Sequence, residues 1–374
     1  MRYGECLVAN LRIFEGSHGL KTVKLGLVGV GRIGQMHARN LVAVKERMEQ
    51  RGVELQILLA DANNEVAKKI ATELEVESRD SVVELLEAGL DGFVITSNTA
   101  SHPELLRLGF KYGVPMFCEK PVSSSVSDAL PLLREIQDAG AIVQVGHQRR
   151  FDAGYLKAKK RFNAGELGWL HSLRAITGDA FPPSIDYIRT SGGIFRDVSV
   201  HDFDIIQWLT GQRIVEVYSW GSNKGDQQIG EVGDVDTSCA MLRLEDGTLA
   251  SVTGTRYNGA GHDVRLDVQG SRATAVVGLD ENSAFKSAEH EIRFPTGQSH
   301  ETFAQRFHVA YVDELAGFVE LILGERQNPC TPFEAVTAAL VADAAQLSLA
   351  QGRSVKIPAL QDLLDKNAMP LEVA

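Results

Sequence analysis

The feature that most constrains the fold is a glycine-rich turn near the N-terminus, GVGRIG, which directly follows a short apolar strand and opens a helical segment. A dinucleotide-binding fingerprint requires this strand–turn–helix context. Gly29 allows the tight turn, Gly31 lets the backbone approach a pyrophosphate, and Gly34 lets helix and strand pack closely. A pyrophosphate at this turn rests on N–H groups at the positive end of the helix, which makes Arg32 and Ile33 candidate cofactor contacts.

An acidic residue, Asp61, directly follows the second apolar strand, Leu55–Ala60. A carboxylate at that position accepts hydrogen bonds from the adenosine ribose hydroxyls. It lies farther from the glycines than the usual distance of about 20 residues, and the charged stretch 45–54 accounts for the delay. The carboxylate repels a 2′-phosphate, and the next residues, Ala-Asn-Asn, offer no arginine to attract one. The sequence therefore predicts NAD rather than NADP, with a solvated or helix-capping aspartate as the alternative.

Residues 23–147 alternate short apolar strands with helical segments. The predicted strands are Lys24–Val28, Leu55–Ala60, Phe93–Thr96, Pro115–Cys118 and Ala141–Val145. The predicted helices are Ile33–Met48, Glu65–Leu74, Pro103–Tyr112 and Val126–Ala139. This alternation implies right-handed crossovers and a parallel sheet. The predicted fold class is thus α/β, with an N-terminal Rossmann dinucleotide-binding domain at 23–147. Residues 1–22 are an expected extension without the features of a secretory signal.

Residues 148–374 have a different character, with longer predicted strands followed by helices. The strands are Leu170–Thr177, Ile214–Trp220, Thr237–Leu244, Leu249–Arg256, Val264–Gln269 and Ala273–Gly278. Asp246-Gly247 between two of them is a strong hairpin signal. Helical periodicity returns at Phe303–Leu323 and Phe333–Gln351. We expect a C-terminal α+β domain with a large, mostly antiparallel open sheet that binds substrate and supports oligomerisation.

Composition excludes several classes of partner. The net charge is −11, and no run of Lys or Arg offers the basic face that nucleic acids need. No segment approaches the roughly 20 apolar residues of a membrane span, so no membrane partner is expected. The four cysteines form no CxxC pair, which favours reduced thiols in a cytoplasmic protein and argues against a metal site.

Two loops leave carboxyl ends of the predicted parallel strands, where ligands bind in such sheets. The first is the polar run Thr96, Ser97 and Asn98, suited to line the cofactor. His102 follows it and, with the next proline, starts a helix at the edge of this loop. We include all four residues among the candidate cofactor contacts.

The second loop is Glu119-Lys120-Pro121, in which Glu119 and Lys120 are candidate cofactor contacts. Lys120 follows a buried strand, so it is expected to project into the ligand crevice. Desolvation and a cationic neighbour lower the pKa of a lysine there and favour a catalytic or alkoxide-stabilising role. Pro121 fixes the local backbone, and a cis peptide is one way to do so.

The segment GGIFRDVSVHDFD is the richest in reactive groups in the second domain. Asp197 and His201 are four residues apart, so on a helix they share one face. A carboxylate oriented on a histidine fixes its tautomer and stabilises the imidazolium, as a proton acceptor for an alcohol requires. A metal site at Asp197, His201 and Asp202 is the alternative, but it lacks a further cluster of well-spaced ligands.

Taken together, LGLVGVGRIG, CEKPV, VGHQRRFD and SGGIFRDVSVHDFDIIQWLTG resemble the glucose–fructose oxidoreductase / inositol dehydrogenase / rhizopine-catabolism (Gfo/Idh/MocA) family, most of all its bacterial inositol 2-dehydrogenases. The resemblance runs from about Val23 to Arg353. It implies that His201 is the acid/base, with Asp197 and Lys120 assisting, and that Arg149 lies near the substrate. It also implies a homotetramer assembled through the sheet of the second domain.

Two positions depart from the pattern of inositol dehydrogenases. Asp179 stands in a Thr-Gly-Asp-Ala stretch where those enzymes often carry Arg-Asp-Pro or Arg-Asn-Pro, and His262 stands where some place a substrate-touching tyrosine. We list Asp179 and His262, with Lys120, Arg149, Asp197 and His201, as candidate substrate contacts. The predicted function is NAD-dependent oxidation of a cyclic polyol such as myo- or scyllo-inositol to an inosose. The alternatives are an aldose or anhydrosugar dehydrogenase and a dinucleotide-binding sensor without turnover.

Overall fold

A computed structural model of the chain describes residues 21–280, 282, 298–366 and 371. The predicted extension 1–22 lies outside these residues except for its last two, which already belong to the first strand. The chain divides into two compact units. Unit 1 comprises the described residues up to Gly146 together with Tyr311–Pro332, and unit 2 comprises His147–Ala310 and the chain from Phe333 onward.

The sheet of unit 1 has six strands, all parallel, in the order β3-β2-β1-β4-β5-β6. Their bounds are β1 Lys21–Val28, β2 Val53–Ala60, β3 Glu77–Ser78, β4 Gly92–Ile95, β5 Met116–Glu119 and β6 Val143–Gly146. This strand order is that of the Rossmann fold. The predicted α/β class and parallel sheet are therefore confirmed, and each predicted strand is displaced by at most three residues.

Helices connect these strands. They are α1 Arg32–Glu49, α2 Asn64–Glu73, α3 Val82–Glu87, α4 His102–Tyr112 and α5 Val126–Asp138, with a 3₁₀ turn at Thr99–Ser101. Ser81 and Ser125 cap α3 and α5 by accepting a backbone N–H three residues on. By contrast, α1 begins after Gly31 with no side-chain cap and no acidic residue in its first turn. An uncapped helix N-terminus that follows a glycine turn is where nucleotide phosphates bind.

Among the described residues, the sheet of unit 2 has seven strands in the order β12-β11-β7-β10-β9-β8-β13. Their bounds are β7 Leu170–Gly178, β8 Ile214–Ser222, β9 Thr237–Leu244, β10 Leu249–Thr255, β11 Asp263–Gly270, β12 Thr274–Val277 and β13 Val355–Lys356. Only β7 and β10 pair in parallel, so the predicted mostly antiparallel sheet is confirmed. The Asp246-Gly247 hairpin is also confirmed, since β9 and β10 pair antiparallel around it.

Three strand ends of unit 2 lie side by side. Gly178, at the carboxyl end of β7, pairs with Thr255 at the carboxyl end of β10 and with Asp263 at the start of β11. Residues just beyond these positions therefore share one end of the sheet. We call this the polar end of the unit 2 sheet.

The helices of the remaining chain are α6 Ala153–Asn163, α7 Ile185–Thr190, α8 Val200–Thr210, α9 Gln227–Glu231, α10 Phe303–Arg306, α11 His308–Ile322, α12 Pro332–Gln351 and α13 Leu360–Lys366. A 3₁₀ turn spans Gln148–Phe151 and a π-helical turn spans Phe195–Ser199. The single helix predicted over Phe303–Leu323 is wrong in one respect, because the chain breaks at Phe307 between α10 and α11. Helix α12 is long and apolar enough to cross a membrane by composition, yet 56% of its apolar window is buried within the fold.

The predicted assignment of all of 148–374 to the second domain is wrong for Tyr311–Pro332, which belong to unit 1. The apolar residues Leu315, Phe318 and Val319 of α11 join the core beneath β1 and β2. The carbonyl of Glu314 accepts a hydrogen bond from Gln144 Nε2 at 3.1 Å. Burial of an apolar helix face on a sheet is a nonlocal interaction that chain order alone does not reveal.

Candidate active site

The glycine turn (residues 29–34) is shaped by close contacts at its two ends. Gly29 has φ of +92°, and a Cβ there would lie 2.5 Å from the backbone of Ser97. A Cβ on Gly34 would lie 1.7 Å from the carbonyl oxygen of Gly29. At Gly31, however, a Cβ would meet nothing within 4 Å. Gly29 and Gly34 are thus required by the protein itself, whereas the open space at Gly31 is what a bound pyrophosphate needs.

Asp61 lies at the carboxyl end of β2, as predicted, and is partly exposed. Its Oδ2 accepts the N–H of Val30 at 2.7 Å, and its Oδ1 accepts the N–H of Asn63 at 2.8 Å. The carboxylate therefore tethers the glycine turn to β2. Each carboxylate oxygen has a second acceptor position, which leaves capacity for a ribose hydroxyl.

The polar run after β4 divides into interior and exposed residues. Thr96 is buried, and its hydroxyl donates to the carbonyl of Gly29 at 2.8 Å. Ser97 Oγ lies 2.7 Å from Ser101 Oγ, and Asn98 is exposed. Thr96 is therefore committed to holding the glycine turn, so Ser97 and Asn98 are the residues of this run with groups turned outward.

His102 starts α4 and is 1% exposed. Its Nδ1 lies 2.8 Å from the carbonyl oxygen of Pro121, and its Nε2 lies 3.1 Å from that of Ser97. Burial lowers the pKa of this imidazole, so the neutral ring has one N–H to share between two acceptors. His102 thus connects the Ser97 loop to the Lys120 loop and faces no open space itself.

The Lys120 loop is held on its other side by Glu119. Glu119 Oε1 lies 2.6 Å from Nε2 of the buried His37 on α1, and Oε2 accepts the N–H of Lys120 at 3.0 Å. Burial alone raises the pKa of Glu119, but the His37 hydrogen bond and the charges of His37 and Lys120 lower it overall. The Lys120–Pro121 peptide is cis, one of the two forms considered from sequence. Glu119 thus stabilises the conformation of this loop. Lys120 itself is partly exposed.

Asp197 in unit 2 lies in the π-helical turn Phe195–Ser199, and α8 begins only at Val200. The regular α-helical spacing used to place Asp197 and His201 on one face is therefore wrong for this segment. The carboxylate of Asp197 accepts hydrogen bonds from Tyr187 Oη and from Arg256 Nη1, each at 2.9 Å. Short π-helical insertions are frequent at functional sites.

His201, in the first turn of α8, is partly exposed. Its ring packs edge-on against that of His147 with centroids 5.8 Å apart. Three residues further along the chain, Asp204 is fully buried and binds Arg150 through both carboxylate oxygens. The helix that bears His201 is thereby fixed to the 3₁₀ turn that precedes α6.

Arg149, expected near the substrate, is 3% exposed. Its Nη1 donates to Asp202, and its Nη2 donates to Thr177 Oγ1 at 2.9 Å. Burial raises the pKa of Asp202, and the Arg149 charge opposes that shift only in part. The ion pair also excludes Asp202 from the alternative metal site, because a carboxylate engaged by arginine and threonine is not an open ligand. A role of Arg149 at the substrate stays a prediction.

Asp179 and His262, the two residues that depart from the family pattern, are in contact with each other. His262 Nδ1 lies 3.1 Å from Asp179 Oδ1, at the polar end of the unit 2 sheet. His262 is buried, while the Asp179 side chain is 29% exposed. Among the described residues, His262 Nε2 has no hydrogen-bond partner. The pair thus combines a buried imidazole ring with a partly exposed carboxylate, and it is the Asp179 carboxylate that is accessible to a ligand.

Comparison with known families decides the assignment. A family model described as an oxidoreductase family with an NAD-binding Rossmann fold (GFO/IDH/MocA) matches residues 23–147, and the GFO/IDH/MocA C-terminal domain matches residues 155–276. This chain belongs to the Gfo/Idh/MocA family. It is an NAD-dependent oxidoreductase, as the sequence predicts, and the open cradle at Gly31 before the uncapped helix α1 fits that cofactor.

Relatives of this Gfo/Idh/MocA protein include proteins named as inositol dehydrogenases. It is 31% identical to the myo-inositol 2-dehydrogenase of Thermotoga maritima, over 90% of this chain and 98% of the relative. It is also 31% identical to the scyllo-inositol 2-dehydrogenase (NAD(+)) of Bacillus subtilis, over 90% and 96% of the two chains. The crystal structure of scyllo-inositol dehydrogenase from Lactobacillus casei with bound NAD(H) and scyllo-inositol matches 90% of this chain and 99% of that one, with a TM-score of 0.79 and 26% identity.

Sequence reasoning missed three residues of this Gfo/Idh/MocA site: Arg256, Tyr187 and Asp234. Arg256 follows β10 directly, at the same end of the sheet as Asp179. A charged residue immediately after an apolar strand is a signal that we could have used, as we did for Asp61 and Lys120. Tyr187 lies in the short helix α7 and Asp234 in the loop before β9, and neither position carries such a pattern.

Proposed function

We propose that this protein oxidises a secondary hydroxyl of a cyclic polyol, with myo- or scyllo-inositol as substrate and an inosose as product. The observation that carries the proposal is the polar end of the unit 2 sheet, where Asp179 is joined to His262 and Arg256 to Asp197. Carboxylates and imidazoles are the groups that bind several hydroxyls at once. The two relatives named as inositol 2-dehydrogenases support this substrate class.

Each reacting group has a distinct role in the proposed reaction. NAD, when bound at the glycine turn, supplies the acceptor for the hydride of the carbinol carbon. His201 takes the hydroxyl proton as general base, and Asp197 is the fixed anion that stabilises the resulting imidazolium. Lys120 stabilises the negative charge that develops on the substrate oxygen. Ser97, Asn98 and the first turn of α1 orient the dinucleotide.

The Asp179–His262 pair is the proposed specificity element. His262 Nδ1 lies 3.1 Å from Asp179 Oδ1, so the buried ring holds this carboxylate in one orientation. The partly exposed Asp179 carboxylate then accepts hydrogen bonds from hydroxyls of the substrate ring. Such a pair favours a neutral polyol over an acidic sugar, because the carboxylate repels a second anion.

A substrate screen tests the function directly. Purified protein with NAD is assayed for NADH formation with myo-inositol, scyllo-inositol, glucose and an anhydrosugar such as levoglucosan. We expect the inositols to give the largest kcat/KM. If glucose or the anhydrosugar gives the largest kcat/KM, the proposed substrate class is wrong, but the proposed NAD-dependent oxidation of a hydroxyl still holds. Tight NAD binding without turnover on any compound would instead indicate a sensor.

A matched pair of histidine variants tests the mechanism. His201→Gln is expected to lower kcat at least about 100-fold with NAD affinity unchanged, because general base catalysis contributes factors of that size. His171→Gln is the control, since His171 is exposed on β7 of the same unit. If His201→Gln retains near-normal turnover, His201 is not the base.

We also propose that the protein forms a homotetramer through the open face of the unit 2 sheet. Trp220 on β8 is 57% exposed and Met241 on β9 is 44% exposed, and the ring of Tyr218 packs at a tilt against that of Trp220 with centroids 4.2 Å apart. Exposed apolar area of this kind marks interaction surfaces. The double variant Trp220→Glu/Met241→Glu is expected to reduce the mass measured by light scattering. A cytoplasmic location stays a prediction.

A further inference from the structure

Arg256 is a buried cation to which neither the sequence motifs nor the proposed chemistry gives a role. It directly follows β10 and is 1% exposed, which makes it one of the largest fully buried side chains of the described protein. Its backbone N–H donates to the carbonyl of Asp236 at 2.8 Å, which fixes its position at the polar end of the sheet. A buried guanidinium requires compensating anions, so its partners show what it does.

The two partners of Arg256 are carboxylates. Nη1 donates to Asp197 Oδ2 at 2.9 Å, and Nη2 donates to Asp234 Oδ2 at 3.0 Å. Burial lowers the pKa of Arg256, but the two carboxylates outweigh burial and raise it above its ordinary value. The guanidinium is therefore a permanent cation shared between two anions, and the group of three carries one net negative charge.

Both aspartates are also attached to the same backbone turn, Asp234 through its carboxylate and Asp197 through its backbone N–H. Asp234 Oδ1 accepts the N–H of Ile194 at 2.9 Å, and the N–H of Asp197 donates to the carbonyl of Gly193 at 3.0 Å. Gly193 has φ of +86°, and a Cβ there would lie 3.3 Å from Asp234 Oδ1. Arg256 thus closes a ring of interactions that runs through Asp234, the Gly193–Ile194 turn and Asp197.

This ring determines what Asp197 can do. Its Oδ2 is bound to Arg256 and its Oδ1 receives the hydroxyl of Tyr187 at 2.9 Å. A carboxylate with two fixed donors keeps one orientation and one charge. In the proposed function, the remaining net negative charge of this group stabilises the imidazolium that forms at His201.

We propose that Arg256 is a positioning residue, which acts through Asp197 by fixing its carboxylate and does not touch the substrate. The inference rests on the proposed function, in which Asp197 assists His201. Asp234 has the separate task of sharing the Arg256 charge and holding the Gly193–Ile194 turn. The two tasks can be separated by mutation.

The experiment compares four variants: Arg256→Met, Arg256→Lys, Asp234→Asn and the double variant Arg256→Met/Asp234→Asn. Each is assayed with the compound that the wild type oxidises fastest, together with thermal melting and NAD affinity. Arg256→Met is expected to lower kcat at least about 100-fold with much smaller changes in KM and NAD affinity. Arg256→Lys is expected to recover part of kcat, since lysine keeps the charge but not the two-pronged geometry.

The double variant separates positioning from folding. Arg256→Met leaves the buried carboxylate of Asp234 and the partly buried carboxylate of Asp197 without this cation and lowers the melting temperature. Asp234→Asn in the same chain removes one of them, so the melting temperature recovers while kcat stays low. Recovery of both the melting temperature and kcat in the double variant would overturn the proposal. An Arg256→Met protein with near-normal kcat would overturn it as well. A wild type without turnover on any compound fails at an earlier step and overturns the proposed function along with this role.

Discussion

Polar groups are held in fixed positions both in the glycine turn of unit 1 and in the Asp197 segment of unit 2 (residues 192–204). The interactions that hold them differ between the two regions. The glycine turn is held by backbone geometry and one carboxylate, Asp61, on the neighbouring strand. The Asp197 segment is held by buried ion pairs, among them Arg256 with Asp197 and Arg150 with Asp204.

The difference follows from what each region must do. A pyrophosphate is bound by backbone N–H groups, so the first region needs close approach and absence of side chains. A proton-transfer site needs charges in fixed positions, and charges out of water must be paired. We therefore expect the glycine turn to be sensitive to substitutions that add atoms. The Asp197 segment should be sensitive to substitutions that remove an ion-pair partner.

The largest expected effect on folding and NAD binding is that of a substitution at Gly34. In Gly34→Ala the new Cβ would lie 1.7 Å from the Gly29 carbonyl oxygen, so helix α1 and the turn cannot keep their positions. We expect little folded protein by circular dichroism and no NAD binding. Gly31→Ala is the matched control, because its Cβ meets nothing within 4 Å. It should melt like the wild type and lose only NAD affinity; equal stability of both variants would contradict this view of the turn.

The next effect is the loss of a buried ion pair in unit 2. Arg149→Met leaves the fully buried Asp202 without its cation and should reduce the free energy of unfolding by about 3–5 kcal/mol. Arg107→Ala removes an exposed pair with Glu135 and should cost at most about 1 kcal/mol. Urea denaturation of both variants measures the difference. Similar losses would show that burial does not set the strength of these pairs.

A moderate effect is expected at Asp61. Asp61→Asn keeps the size and one acceptor oxygen but removes the charge, so NAD affinity should fall about 10-fold. NADP affinity should rise, since the repulsion of the 2′-phosphate is gone. Titration of the variant with both nucleotides gives the ratio of the two dissociation constants. An unchanged ratio would show that Asp61 serves only to tether the glycine turn.

The smallest effect concerns Glu119. Burial raises its pKa, but His37 and Lys120 outweigh burial, so the pKa is lowered in the folded protein. A carboxyl group with a lowered pKa stabilises the fold above its ordinary pKa of about 4.3, and this stabilisation is lost as the pH falls through the folded value. The melting temperature of the wild type should therefore decrease more steeply in acid than that of Glu119→Gln. Parallel curves would remove Glu119 from this role.

Prediction from sequence succeeded where short-range pattern and strand order are sufficient. Gly29, Gly34 and Asp61 lie where the fingerprint places them, and the hairpin at Asp246-Gly247 joins the two strands that flank it. Prediction from sequence failed where a local irregularity or a partner distant in the chain determines the structure. The π-helical turn at Asp197 has no signature in residue spacing, and helix α11 joins unit 1 because of its apolar contacts.

What the sequence determined by itself is the dinucleotide turn, the alternation of strands and helices around it, and the preference for NAD, since these depend on residues close in the chain or on adjacent parallel strands. What only the tertiary structure decided is the environment of each reactive side chain. Asp197 is paired with Arg256, 59 residues away, and Asp179 with His262, 83 residues away. Such contacts depend on which strand ends meet at one end of a sheet, a property of the whole topology that no local pattern encodes.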